Sequence, residues 1–338
     1  MIQPVPETRH PVTAADPATG RFHLCAHRVI DIDGDDATSF LQGQFCNDVV
    51  ALGAGRAQIN GYCTPKGRLL ATFVLQRRPD GFRLVLPEAA VADAFAKRLG
   101  MFIMRAAVTL RPRADLAVLG LIGESASIGG SSADPAEGPA DTLPGRPAEL
   151  LGVADADDAS VLHWHDDPVM GTRALGVVPS AAVEDLADGE ALWRLADIRA
   201  GLPSVRAGTM ESFVPQMVNF REIEAVSFKK GCYPGQEIVA RMHYLGKQKR
   251  HMRRFVATGE VSDALVPVPG DTLGQAGAAE VVDAVRTRDG VELLAVVRIG
   301  AWSDGLSLGE GAATAFDATL PYAPNEPKEA EADAGTGS

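Results

Sequence analysis

Apolar and polar positions alternate with a period of two through residues 22–32, which predicts a strand, and residues 57–64, 68–76, 82–86, 105–111 and 116–122 read as further strands. Helical spacing intervenes twice. Ala37, Phe40 and Leu41 share one face after Gly34-Asp35-Asp36, which supplies a turn and an N-cap, and residues 88–99 form a helix closed by Gly100. Thr64-Pro65-Lys66-Gly67 joins two strands with Pro second and Gly fourth, the pattern of a type I turn. From 124 to 149 the chain is Gly, Ser, Pro, Ala and Asp with almost no large apolar residue, so it cannot pack a core and reads as a mobile surface insertion. Strands resume at 160–164 and 173–178. A helix carrying Ala191, Leu192, Leu195, Ala196 and Ile198 follows, stopped by Gly201 and Pro203. Pro234 suits the first position of a helix and Gly246 the residue just past its end, which predicts one short helix over 233–245. Short strands at 254–258, 279–287, 291–299 and 313–320, with turns such as Arg288-Asp289-Gly290, then predict a small barrel. The expected organisation is a flexible lead-in over 1–20, an α+β body over 21–246, a β-barrel over 247–322 and an acidic tail over 323–338.

Composition narrows the functions open to such a chain. With 338 residues, 46% of them hydrophobic and 22% charged, it has the makeup of a globular protein of two or three domains. A net charge of −12 argues against generalised affinity for nucleic acid or anionic membranes, while leaving a local patch open. Cys25, Cys46, Cys63 and Cys232 form no C-x-x-C pair, as expected in a reducing compartment. No apolar run reaches the roughly 18 residues of a membrane span, and the start resembles neither a signal nor a transit peptide, so the expected location is cytoplasmic. P-loop, G-x-G-x-x-G, G-x-S-x-G and H-E-x-x-H motifs are all missing, which removes weight from nucleotide hydrolysis, dinucleotide redox chemistry and triad hydrolysis.

The chemistry concentrates in Phe228-Lys229-Lys230-Gly231-Cys232-Tyr233-Pro234-Gly235-Gln236-Glu237, followed by Arg241 and a basic run from 247 to 254. A thiol at the start of a short helix, with Lys229, Lys230 and Arg241 nearby, is favoured as thiolate by the unpaired N–H groups and the cations. An inert buried cysteine is the competing reading, and burial is the expectation for Cys25, Cys46 and Cys63, which fall on core strands and a helix.

Together with Phe40-Leu41-Gln42-Gly43-Gln44, Asn47-Asp48, and Cys63-Thr64-Pro65-Lys66-Gly67-Arg68, this stretch resembles the folate-binding YgfZ family, relatives of the glycine-cleavage T-protein (aminomethyltransferase). The similarity extends to Ile198-Arg199-Ala200-Gly201-Leu202-Pro203 and Phe213-Val214-Pro215-Gln216 with Asn219. It implies a three-lobed T-protein-like body with a central folate pocket, a C-terminal β-barrel, and a role in assembling or repairing iron–sulfur clusters, including those of tRNA-modifying enzymes. Tetrahydrofolate is the implied ligand, and iron–sulfur carrier or client proteins are the implied partners. The family's functional cysteine falls on Cys232, a candidate ligand of a transient cluster shared with a partner, with Lys230, Glu237 and Arg241 beside it in sequence. Two positions depart from the pattern: Pro234 replaces a frequent Thr, and His27 stands where relatives place an aromatic beside the folate. Trp193 keeps the aromatic at the second such position, and an indole is a good stacking surface for a flat pterin. Arg199 joins Trp193 and His27 as the folate-site candidates, whereas Asp93 reads as a solvated helix face.

Besides the maturation factor, a tetrahydrofolate-dependent aminomethyl or methyl transferase is compatible with these residues; it would need acid–base groups rather than a thiolate. Direct RNA binding is a third reading. Residues 221–254 hold nine Lys/Arg against three Glu, a balance of +6, with Tyr233, His243 and Tyr244 for stacking.

Overall fold

The computed structural model describes residues 20–123, 159–163, 173–245, 248–274, 278–299, 305–308 and 313–322. The expected lead-in, the insertion over 124–149, the acidic tail and the helix-ending Gly246 lie outside them, apart from Gly20.

In chain order the body comprises β1 (Gly20–His23), β2 (Arg28–Asp33), α1 (Ala37–Gln42), β3 (Ala57–Cys63), β4 (Leu69–Arg78), β5 (Gly81–Leu86), α2 (Ala89–Ile103), β6 (Thr109–Pro112), β7 (Leu116–Ile122), β8 (Ser160–His163), β9 (Arg173–Pro179), α3 (Glu190–Ala200) and α4 (Gln236–Tyr244). The remainder comprises β10 (Arg250–Thr258), a 3-10 turn at Asp263–Leu265, β11 (Thr272–Leu273), β12 (Ala279–Thr287), β13 (Gly290–Arg298), β14 (Leu306–Leu308) and β15 (Ala313–Ala318). Three antiparallel sheets result. The first runs β3-β4-β5-β2-β6, the second β1-β7-β9-β8, and the third β11-β12-β13-β10-β15-β14, whose end strands β11 and β14 approach each other and nearly close the expected barrel.

Apolar faces of the sheets set how they pack. α1 and α2 cover the first sheet, where Phe45, Tyr62, Phe73 and Phe95 interlock, with the Phe45 and Phe73 ring centres 4.7 Å apart. Its other face joins the second sheet and α3 in a central core that includes Val29, Val85, Val177, Trp193 and Ile198 and continues to Val285 and Leu294 of the third. The barrel keeps its own interior around Phe255, Val281, Leu293 and Val297.

Three expected elements are corrected. The strand over 22–32 is broken at Cys25 and Ala26, where His27 N–H bonds to Leu24 carbonyl, because β1 pairs with β7 in one sheet and β2 with β5 and β6 in another. Gly100 does not close α2: it keeps negative φ, and the chain reverses only at Met104, φ 37°. Asp36 precedes α1 but does not cap it; its carboxylate accepts from Ala107 N–H instead.

The body is clasped to the barrel by buried charge. Asp283, at a bulge in β12, accepts from Arg194 of α3 and from Arg206, while Glu292 of β13 accepts from Arg199 of α3 and from Arg254. Glu190, at the start of α3, bonds His27 at 3.1 Å and lies 3.7 Å from Arg206. Burial opposes ionisation of Glu190, but His27, Arg206 and Arg194 outweigh it and hold the carboxyl at about 2. Asp283 and Glu292 are likewise lowered by their arginines against the cost of burial. A carboxyl depressed in the folded state contributes stability that is complete above its ordinary value, 4.5 for Glu190, and is lost as pH falls toward 2. The urea midpoint should therefore hold down to about pH 5 and fall steeply below it. A midpoint unchanged to about pH 3 would show that these carboxylates are not held this way.

Candidate functional site

Lys230 is the anchor of the Cys232 loop. Its ammonium is buried and donates to the carbonyls of Gln42, Phe45 and Asn47 at 2.6, 2.5 and 3.0 Å, with Tyr233's ring 5.3 Å away. Burial draws its pKa down to about 8, while three carbonyl acceptors favour the charged form. Tyr233-Pro234-Gly235-Gln236 then makes a turn closed by Gln236 N–H to Tyr233 carbonyl, with Gly235 at φ 81°, ψ 0°, the third position of a type II turn. Pro234 thus belongs to this turn and not to the first turn of the helix, and α4 starts at Gln236, four residues after Cys232. The helix N-terminus expected at the thiol is not there. The Thr64–Gly67 turn forms as expected, closed by Gly67 N–H to Thr64 carbonyl, and packs directly on the second turn. A Cβ added to Gly235 would sit 2.4 Å from Thr64 carbonyl oxygen and 2.5 Å from Gly67 Cα.

Three segments far apart in sequence therefore meet beneath Cys232, which is itself exposed beside Gly231, whose Cα faces open space. Glu237 and Arg241 are exposed along α4, and Lys230, expected as an activating cation, is turned inward. Cys46 and Cys63 are buried as expected, and the Cys63 thiol is pushed well up by its hydrogen bond to Cys46 and by burial. Cys25, expected to be buried, is exposed at the break between β1 and β2. Partial desolvation and the nearby Asp188 carboxylate push its thiol to about 11. At neutral pH such a thiol holds roughly 300-fold less thiolate than an ordinary cysteine of pKa about 8.5. Iodoacetamide at pH 7 should consequently label Cys232 first, with labelling of Cys25 rising about tenfold per pH unit toward 11 and Cys46 and Cys63 reacting only on unfolding. Mass spectrometry of the labelled peptides reads the order; Cys25 reacting as fast as Cys232 at pH 7 would contradict it.

A separate, narrow cavity lies between the two body sheets and α3, with about 50 Å³ open to a water-sized sphere. His27, Trp193, Asp197, Thr72 and the turn at Leu202 and Pro203 are among its walls, and none of them comes from the Cys232 loop. Arg173 donates to Asp197 at 2.7 Å and lies 5.0 Å from the Trp193 ring. Burial raises the Asp197 carboxyl despite that arginine. Of the residues expected at a folate, Trp193 and His27 meet here, whereas Arg199 is committed to Glu292. Asp197 was missed. It stands four residues after Trp193 on the same helix face, a spacing visible in the sequence. Asp93 is exposed on α2, away from the cavity.

The chain is 30% identical over 247 residues to the tRNA-modifying protein YgfZ of Colwellia psychrerythraea, covering 71% of this chain and 72% of that protein. The namesake in Enterobacter sp. is 30% identical over 280 residues, covering 80% and 78%. The chain belongs to the YgfZ family. A third YgfZ, from Vibrio atlanticus, is 31% identical over 243 residues, covering 72% and 71%. No family model matches the chain. Among solved structures, aminomethyltransferase T of the glycine cleavage system from Bartonella henselae superposes with a TM-score of 0.63 at 15% identity, covering 91% of this chain and 87% of that one. This YgfZ-family chain thus has the T-protein fold expected from its motifs. Among the described residues, no helix is long and apolar enough to cross a membrane.

Proposed function

We propose that this chain is a folate-dependent accessory factor in iron–sulfur cluster assembly or repair, serving tRNA-modifying enzymes and acting through Cys232. One observation carries the reading: the exposed sulfur sits on a loop fixed from below by three family segments, which presents a soft ligand to a partner without burying it. The name of the YgfZ relatives supports the link to tRNA modification, and the T-protein fold supports the link to folate. One thiolate is one of the roughly four ligands a cluster wants. Among the described residues no group of three or more His, Cys, Asp or Glu is placed to hold a metal, so a partner supplies the rest to the cluster as cargo.

The cavity residues fit a reduced folate chemically. Trp193 offers a face for the flat pterin, Asp197 a buried carboxylate for its N–H groups, and His27 a polar edge. A bound tetrahydrofolate carries one-carbon units or reducing equivalents. The cavity is narrower than a pterin, so its walls must part. Leu202, Pro203 and Ser204 form the stretch of wall just past the end of α3, on neither helix nor strand, and they are the ones to move.

Titration with tetrahydrofolate should quench tryptophan fluorescence, and the quench should vanish in Trp193→Ala. Calorimetry should show up to about tenfold weaker binding for Trp193→Ala, from lost stacking. Parental affinity in a folded Trp193→Ala would remove the pocket assignment. The Asp197 carboxyl favours a second reading, a tetrahydrofolate-dependent transferase, since it provides the pocket acid that such chemistry needs.

A further inference from the structure

A second, larger groove of about 710 Å³ lies beside the Cys232 loop, walled by residues 47–58, by 221–229 and by the end of α4. Its chemistry differs from the cavity's. Phe228 and His243 stack face to face, with ring centres 3.7 Å apart and planes 11° apart, and Tyr244 meets His243 edge-on at 4.7 Å while remaining 66% exposed. Burial and Arg221 lower the His243 pKa, which keeps that ring neutral near pH 7 and suited to stacking. Arg56, Arg221 and Lys229 line the groove and are exposed, and among the described residues none of them forms an ion pair.

That contrasts with the rest of the basic run after the motif. Arg253 pairs with Asp317 and Arg254 with Glu292, so two of the cations counted toward an RNA-binding run are neutralised inside the fold. Of the two acids on the groove, Asp48 already accepts from Gln42 and from Ala51 N–H. On the floor, the Gln58 side-chain N–H₂ is shielded from solvent without an acceptor among the described residues. That amide is available to an acceptor atom of a ligand in the groove.

We propose that this groove binds a short stretch of single-stranded RNA: bases stack on the Tyr244–His243–Phe228 rings, phosphates meet Arg56, Arg221 and Lys229, and a ribose 2′-hydroxyl oxygen accepts from the Gln58 amide. Exposed rings with unpaired cations are what single strands require, since duplex bases are already stacked. The proposal does not rest on the folate or cluster readings: Trp193→Ala and Cys232→Ala should bind RNA as the parent does, so failures of the separate readings are told apart.

The test is fluorescence anisotropy with a labelled, unstructured RNA dodecamer, its duplex, and DNA of the same sequence, using the full chain. Tyr244→Ala should weaken RNA binding about tenfold, within the range of one lost base–aromatic stack. Arg221→Ala and Lys229→Ala should each reduce the steepness of the salt dependence by about 0.7 in the log–log slope. Duplex and DNA should bind more weakly. Tyr244 is exposed at a helix end, so its replacement leaves the fold intact, which circular dichroism checks. The proposal is overturned by no RNA binding, by equal binding of duplex or DNA, or by losses that follow Lys249 and Arg250 while Tyr244→Ala binds normally.

Discussion

Replacing Asp283 by alanine should destabilise the protein by about 3–5 kcal/mol, the cost of stranding buried charge. The carboxylate is 2% exposed and takes hydrogen bonds from two arginines of the body, Arg194 and Arg206. Arg206 is itself 3% exposed, and without Asp283 its remaining partners are Pro87 carbonyl at 2.9 Å and Glu190 at 3.7 Å. The loss therefore comes from the guanidinium left behind, more than from the pair's own worth. It follows that Asp283→Leu combined with Arg194→Met and Arg206→Met should recover much of the loss, because a well-packed apolar cluster of similar volume is often as stable as a buried triad of charges. Urea unfolding at pH 7 measures both. A loss under about 1 kcal/mol in Asp283→Ala would mean that the clasp between α3 and β12 is not built on this residue.

Local patterns in the sequence carried much of the architecture. Gly201 ends α3 in the left-handed conformation, φ 69°, as a glycine past a helix should, and the Thr64–Gly67 turn closes as its Pro and Gly require. Misreadings arise where two local signals compete. Pro234 fits both a helix start and a turn before Gly235, and the turn wins because Gly235 must let the Thr64–Gly67 backbone come within contact. Alternation through 22–32 does not reveal that its halves join different sheets, so the exposure of Cys25 at the break is invisible beforehand. Lys230 looked like an activating cation because proximity in sequence was all there was to judge by. Its carbonyl partners lie more than 180 residues away, at Gln42, Phe45 and Asn47. The charge run misled in the same way, since the acids that neutralise Arg253 and Arg254 come from β15 and β13.

Replacement of Cys232 by alanine should leave the fold and tetrahydrofolate binding unchanged while abolishing support of iron–sulfur-dependent tRNA modification in cells. The side chain is exposed, and the loop is held by Lys230, Gly235 and Tyr233, so little packing is lost with the sulfur. A transferase would behave in the opposite way: activity would survive in Cys232→Ala and fall in Asp197→Asn, whose neutral amide cannot act as the pocket acid. The decisive measurement is tRNA-modification level in cells that lack their own YgfZ and carry either the parent or a folded, equally abundant Cys232→Ala. We predict that the variant leaves modification at the level of cells without the protein; modification restored to the parental level would contradict the central role of Cys232.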